Sequence, residues 1–176
     1  MRTLETKRLL LRAWRIEDAE AMFSYARGEK VGPRAGWKPH ENVAESESII
    51  RMFIEEDETW AIVRKEEDRP IGSIGLHKTK EENVRELGYV LSEEYWGRGI
   101  MPEAAEAVLR FAFEEMNLSK VTVGHFPFNM QSKRVIEKLG FSYTGYFEKA
   151  FERFDGVKMD EYRYEMTRAA FELRRR

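Results

Sequence analysis

The stretch Glu86-Leu87-Gly88-Tyr89-Val90-Leu91-Ser92-Glu93-Glu94-Tyr95-Trp96-Gly97-Arg98-Gly99-Ile100-Met101-Pro102-Glu103-Ala104 decides how the rest of the chain is read. It passes from an apolar strand through a tight glycine loop into a long amphipathic helix. Gly97 and Gly99 lack a Cβ, so the backbone there can take positive φ or lie close against a ligand. Pro102 suits the first helical position, where a missing N–H costs nothing. A helix N-terminus offers unpaired N–H groups and the positive end of the peptide dipole, which together bind phosphate. The stretch is therefore a candidate pyrophosphate cradle. It is not a P-loop, because no Gly-Lys-Ser/Thr follows. Nor is it a dinucleotide fingerprint, since Pro102 stands where the third glycine should fall. A Gly-x-Gly taken alone fits a phosphate loop and a plain tight turn equally.

Upstream, the period is two. Trp60-Ala61-Ile62-Val63, Ile71 to His77 and Val84 to Leu91 read as three strands of an antiparallel meander, with Glu66 to Pro70 as a charged turn. In the third strand Val84, Glu86, Gly88 and Val90 share one face, and Arg85, Leu87, Tyr89 and Leu91 the other. Earlier still, Arg8 to Ala13 is a buried first strand. Helical spacing follows in Ile16, Ala19, Met22, Phe23 and Ala26, and again in Val43, Ile50, Phe53 and Ile54. Arg34 to His40 is a loop rich in Gly, Pro and Trp. Downstream, Met101 to Met116 carries a helical stripe, and Lys120 to Phe126 is a strand. A right-handed crossover makes that strand parallel to the one ending at Leu91. Met130 to Leu139 is a short helix. Phe141 to Phe151 and Val157 to Thr167 form a hairpin around Asp155-Gly156, and a basic tail follows.

The element order β-α-α-β-β-β-α-β-α-β-β gives an α/β (α+β) fold. Its sheet is mixed, mostly antiparallel and seven-stranded, with helices on both faces. The 176 residues, 42% of them hydrophobic, are expected to form one domain over 1–176. A net charge of −2 gives no global basic field for nucleic acid. No signal-like N-terminus and no apolar run near the ~18 residues of a membrane span is seen. Cysteine is absent, which excludes disulfides, thiolate nucleophiles and Cys-ligated zinc. With His40, His77 and His125 well separated, no metal is expected, and the reading is a cytoplasmic protein.

The order of elements together with the loop resembles the GNAT superfamily of acyl-CoA-dependent N-acetyltransferases. That family's pyrophosphate loop reads Gln/Arg-x-x-Gly-x-Gly/Ala, here Glu94-Tyr95-Trp96-Gly97-Arg98-Gly99 with Glu at the first position. Asn129-Met130-Gln131-Ser132 with Leu139-Gly140-Phe141 is similar to the family's late Asn-x-x-Ser helix and following Gly-Phe strand. Leu9-Leu10-Leu11-Arg12, Gly36-Trp37-Lys38-Pro39-His40 and Glu86-Leu87-Gly88-Tyr89 resemble the subfamily that acetylates ribosomal-protein N-terminal amines. The likeness spans roughly residues 4–168, the expected core.

The resemblance implies acetyl-CoA as co-substrate and a primary amine as acceptor, with a protein N-terminal amine favoured. A small-amine acetyltransferase (polyamine, amino acid or aminoglycoside-like) and a non-catalytic CoA-binding module are the alternatives. It implies that Val90, Leu91 and Ser92 lie along the pantetheine arm through their backbone. Trp96, Gly97, Arg98, Gly99, Ile100 and Met101 would wrap the pyrophosphate. Asn129 would bond pantetheine and Ser132 would sit near the thioester sulfur, where a hydroxyl can protonate the leaving thiolate. Some relatives place a tyrosine seven residues after the Asn; here that place is Ile136. Helix capping alone also accounts for Asn129. Glu86, interrupting an apolar strand beside the cofactor edge, is the candidate base, against a surface glutamate paired with a cation. His77 and His125 are lesser candidates. Backbone N–H near Val90 is the expected oxyanion donor. The Arg34–His40 loop, with Trp37, Tyr146 and Phe147, is expected to line the acceptor slot. Monomer and homodimer both remain open.

Overall fold

The computed structural model describes residues 1–175. Its strands are β1 Leu4–Glu5, β2 Leu9–Arg12, β3 Thr59–Arg64, β4 Pro70–Lys78, β5 Val84–Leu91, β6 Lys120–His125, β7 Ser142–Glu152 and β8 Lys158–Thr167. Its helices are α1 Ala19–Ala26, α2 Gly32–Ala35, α3 Val43–Glu56, α4 Ile100–Arg110, α5 Met130–Lys138 and α6 Arg168–Leu173. All strands join one sheet in the order β1-β2-β3-β4-β5-β6-β8-β7, and only β5 and β6 run parallel. The sheet thus has eight strands, not seven. The extra one, β1, is two residues long and too short to carry a period-two signal.

Other differences are local. Pro102 stands third in α4, which begins at Ile100; its missing N–H still falls in the first turn, where none is needed. The stripe after Arg110 continues as a π-helical turn, Phe111–Glu115, rather than as α-helix. Part of the Arg34–His40 loop coils into α2. The basic tail opens as α6, capped by the Thr167 hydroxyl, which accepts from the Ala170 N–H at 3.2 Å.

Period and burial explain the layers. Leu87 and Leu91 of β5 face α4, whose Ile100, Met101, Ala104, Ala105, Val108 and Leu109 are buried on that side. Phe113 stacks on Phe171 of α6 at 4.9 Å and closes this core. On the opposite face α1 and α3 bury Met22, Ala26 and Ile50 against Ala61 and Val63 of β3. That layer is tied down by a buried ion pair, with Arg12 donating to Asp18 at 2.7 and 2.9 Å.

The site is set by how β5 and β6 meet. Their pairing covers only Val84↔Lys120, Arg85↔Val121 and Glu86↔Thr122. Beyond Glu86 the strands part. The Ser92 N–H donates to Ile71 O on β4 at 2.8 Å. Backbone groups alternate sides along a strand, so Tyr89 and Leu91 turn theirs into the gap.

Candidate active site

A cavity of about 900 Å³ opens where β5 and β6 part, between the α1–α2 segment, α5 and the end of the β7–β8 hairpin. Its donor half is bounded by Val90, Leu91, Trp96, Gly97, Gly99, Ile100 and Met101 from the opening stretch, with Asn129 and Ser132 from α5. Most of the residues expected to hold the donor are thus brought together. Ser92 and Arg98 are not on its lining. Ser92 is buried, and the exposed Arg98 guanidinium lies over the Tyr95 ring at 5.6 Å.

The glycine loop has the backbone its sequence demands. Gly97 and Gly99 sit at φ 72° and 70°, the left-handed region that favours glycine. Nothing lies within 4 Å of the place a Gly97 Cβ would take, so conformation, not crowding, calls for glycine there. Arg8 steadies the loop, giving Nη1 to Arg98 O at 2.9 Å and Nε to Glu103 at 2.6 Å. The Trp96 indole N–H donates to Leu91 O at 2.8 Å, pinning the loop to the end of β5. Arg134 and Lys138 of α5 also border this half. They are cations that sequence reading did not single out, because one helical turn of basic residues looks like any solvated face.

Asn129 caps α5: its Oδ1 accepts from Ser132 N–H at 3.2 Å, while its Nδ2 donates to Arg34 O at 3.2 Å. The cap reading is realised, and both ends of the Asn129 amide are engaged within the protein. Ser132 Oγ lies 2.9 Å from the Tyr89 hydroxyl. Tyr89 was given no role from the sequence. Burial pushes its phenol pKa up, opposed by the hydrogen bond with Ser132, so it stays neutral. A tyrosine at the edge of a core strand carries no sequence signal of where its hydroxyl ends.

Glu86 faces the acceptor half of the cavity, on the floor opposite α1 and α3. It has no hydrogen-bond or ion-pair partner among the described residues, so the surface-pair alternative is not realised. Solvent reaches it through the open cavity, yet protein surrounds it. Desolvation raises its pKa above the ordinary carboxylate value, the charge of Glu161 adds to this, and His77 and Arg163 oppose it. His77 is directly across from Glu86 in the β4–β5 register. His125 is buried, its Nδ1 2.8 Å from Phe126 O and its ring stacked on Tyr162.

Trp37 lines the acceptor side, but Tyr146 and Phe147 do not. The Tyr146 hydroxyl goes to Asp160, and Arg163 covers the Phe147 ring at 4.5 Å. Phe126 and Phe151 take the expected place, 5.3 Å apart. The shift comes from a bulge between Phe147 and Phe151, where Lys149 sits at φ 51°. Between the pairs Phe147↔Glu161 and Phe151↔Met159, β7 advances four residues while β8 advances two, and no local residue pattern marks such an insertion. Phe151 then rests on Gly36, whose absent Cβ would lie 2.5 Å from the ring. Among the described residues no group of His, Asp or Glu could hold a metal ion, and no helix is long and apolar enough to cross a membrane.

A family model of the acetyltransferase (GNAT) domain matches residues 8–142. The chain is 30% identical over 166 residues to the uncharacterized N-acetyltransferase YnaD of Bacillus subtilis, a match covering 92% of this chain and 94% of that one. A shorter match, 35% identical over 75 residues, joins 42% of this chain to 41% of the putative ribosomal N-acetyltransferase YdaF of Bacillus subtilis. The crystal structure of a GNAT-family acetyltransferase from Bacillus anthracis superposes with a TM-score of 0.88 at 27% identity, covering 96% of this chain and 99% of that one. With the glycine loop, the parted strands and these matches pointing the same way, the chain belongs to the GNAT family of acetyltransferases.

Proposed function

We propose that this acyltransferase moves an acetyl group directly from acetyl-CoA to a primary amine, with a protein N-terminal amine as the favoured acceptor. The family uses acetyl-CoA, and the donor half of the cavity fits it. A left-handed glycine loop at a helix start suits the pyrophosphate. The backbone N–H and C=O of Tyr89 and the N–H of Leu91, turned into the gap, suit the amides of the pantetheine arm. The observation that carries the reading is the placement of Glu86 on one side of the parted strands and the Ser132–Tyr89 pair on the other.

In this reading the amine enters neutral, having left its extra proton in solvent, and ionised Glu86 takes one proton from the nitrogen as the N–C bond forms, later releasing it to solvent. The nitrogen lone pair attacks the thioester carbonyl carbon, and the charge that develops on oxygen is met by strand-edge N–H groups flanking Val90. The C–S bond then breaks as the N–C bond is kept. Ser132 gives its hydroxyl proton to the departing sulfur and recovers one from solvent. No covalent acyl-enzyme is formed. The N-terminal preference rests on the motif resemblance and on the likeness to the protein named a putative ribosomal N-acetyltransferase.

The test is thiol release from acetyl-CoA with a panel of short peptides, polyamines, amino acids and aminoglycosides. The chain has no cysteine, so it contributes no background. Peptide N-terminal turnover above that of the small amines is expected. No turnover on any amine would overturn the enzymatic reading. Thermal stabilisation by acetyl-CoA without turnover would identify a binding module instead.

A further inference from the structure

Three glycines on neighbouring strands hollow the floor of the acceptor half. Gly75 and Gly88 face each other across β4 and β5, and Gly124 lies on β6. Two side chains fold into the space. The His77 ring covers Gly75 and Gly88, coming within 2.9 Å of where either Cβ would stand. The Glu161 carboxylate covers Gly124, with Oε1 2.2 Å from that missing Cβ. Glu161 is only 15% exposed, and Arg163 Nε holds its Oε2 at 2.7 Å. Its Oε1 accepts no hydrogen bond among the described residues. In the β5–β6 register Glu86 is level with Thr122, and Gly124 is the next residue on the same face. The Glu161 carboxylate, reaching from β8 over Gly124 of β6, therefore shares a floor with Glu86 of β5.

We propose that Glu161 determines acceptor specificity: with Glu86 it sets two carboxylates against the single Arg163 guanidinium, leaving the floor net anionic, so the slot takes amines flanked by neutral or cationic groups and rejects amines flanked by a carboxylate. The acceptor class is an amine next to an amide, as at a peptide N-terminus, and free α-amino acids are excluded. This rests on the amine-acetylation reading above. The physical cause is like-charge repulsion in a partly enclosed cavity, where water screens poorly. Arg163 offsets part of the Glu161 charge but lies on its far side from Oε1, bound to Oε2. Through the same charge Glu161 helps to hold Glu86 in its protonated form until a higher pH. His77 from β4 and Arg163 from β8 act in the opposite sense.

The experiment compares alaninamide with alanine, each at matched free-amine concentration, in the wild-type enzyme and in Glu161→Gln. Wild type is expected to favour alaninamide by tenfold or more in kcat/KM. Glu161→Gln should narrow that preference about tenfold, equivalent to about 1.4 kcal/mol, mainly through KM. It should also move the acid limb of kcat/KM to lower pH and leave acetyl-CoA binding and melting temperature unchanged. A purely structural Glu161 would not move the pH limb. Equal use of alanine by the wild type, or an unchanged preference in a folded Glu161→Gln, overturns the specificity proposal while leaving amine transfer intact. Should the variant fail to fold, the wild-type preference still decides. Absence of turnover with both acceptors overturns the amine-transfer reading itself, and this proposal with it.

Discussion

Replacing Tyr89 by phenylalanine removes one oxygen and leaves the packed ring in place. What is lost is the 2.9 Å contact with Ser132 Oγ. A neutral hydrogen bond of this kind contributes about 0.5–1.5 kcal/mol, so kcat should fall roughly 2- to 12-fold. The effect reaches the chemistry only through Ser132, which makes Tyr89 a positioning residue. Ser132→Ala removes the proton donor itself. General acid catalysis contributes about 10²–10⁴-fold, and a thiol leaving group with an ordinary pKa of about 8.5 demands little help, which favours the lower end, about 100-fold. The double variant should then be no slower than Ser132→Ala alone, giving a coupling equal to the whole Tyr89 effect. The assay is initial-rate thiol release at saturating acetyl-CoA and peptide. The reasoning fails if Tyr89→Phe matches wild type, or if it slows the Ser132→Ala enzyme by the same factor as it slows wild type. Because burial keeps the phenol neutral, Tyr89 should add no alkaline limb to the profile.

Further outcomes follow from the same geometry. Gly97→Val forces a β-branched residue to φ 72°, a strain of about 1–3 kcal/mol, and should abolish acetyl-CoA binding by calorimetry, whereas Arg98→Ala, an exposed side chain off the cavity lining, should change affinity by no more than about threefold on the scale of an exposed charge; the reverse ranking would refute the backbone cradle. Glu86→Gln should cost about 10²–10⁴-fold in kcat with donor binding intact. In the wild type the rate should rise with pH through a Glu86 pKa lifted above 4.5 by desolvation and by Glu161, because only the ionised form accepts a proton; a flat profile, or more than a tenth of the rate surviving in Glu86→Gln, removes it as base. Asp18→Ala leaves the buried Arg12 guanidinium with only the exposed Asp68 carboxylate at 3.8 Å and should cost about 3 kcal/mol in urea unfolding, the low end for a broken buried pair; a loss below about 1 kcal/mol would mean that Asp68 or water replaces the pair.

The donor half was legible because its parts are local. The strand, the glycine loop and the start of α4 are contiguous from Glu86 to Ala104, and each carries its own signal in residue type and spacing. Asn129 and Ser132 were readable for the same reason, as a helix cap with a residue one turn on. The acceptor half was not legible. Glu86 and Glu161 share a floor only because β8 pairs with β6 and Gly124 leaves room for a carboxylate, and no local pattern records that. Tyr146 and Phe147 were expected there as aromatic residues of the terminal hairpin, but the register shift between Phe147 and Phe151 brings Phe151 to the cavity in their place. Tyr89 was placed by alternation on the face it shares with Leu87 and Leu91, and its partner Ser132 lies on a helix that begins far downstream.

The short parallel pairing of β5 with β6 also has a mechanical meaning. Three residue pairs are all that sew a five-stranded half-sheet, β1 to β5, to a three-stranded one, β6, β8 and β7. The molecule is built with a seam, and the groups proposed to hold the donor lie in its open end. A ligand bonded to both lips would act as a stitch, borrowing its own amides to continue a sheet that the chain leaves unfinished. The amide hydrogens of Tyr89 and Leu91, which face the gap, should then exchange readily in the empty protein and slow together when acetyl-CoA binds, so that the donor is for a time a structural strand of the enzyme that consumes it.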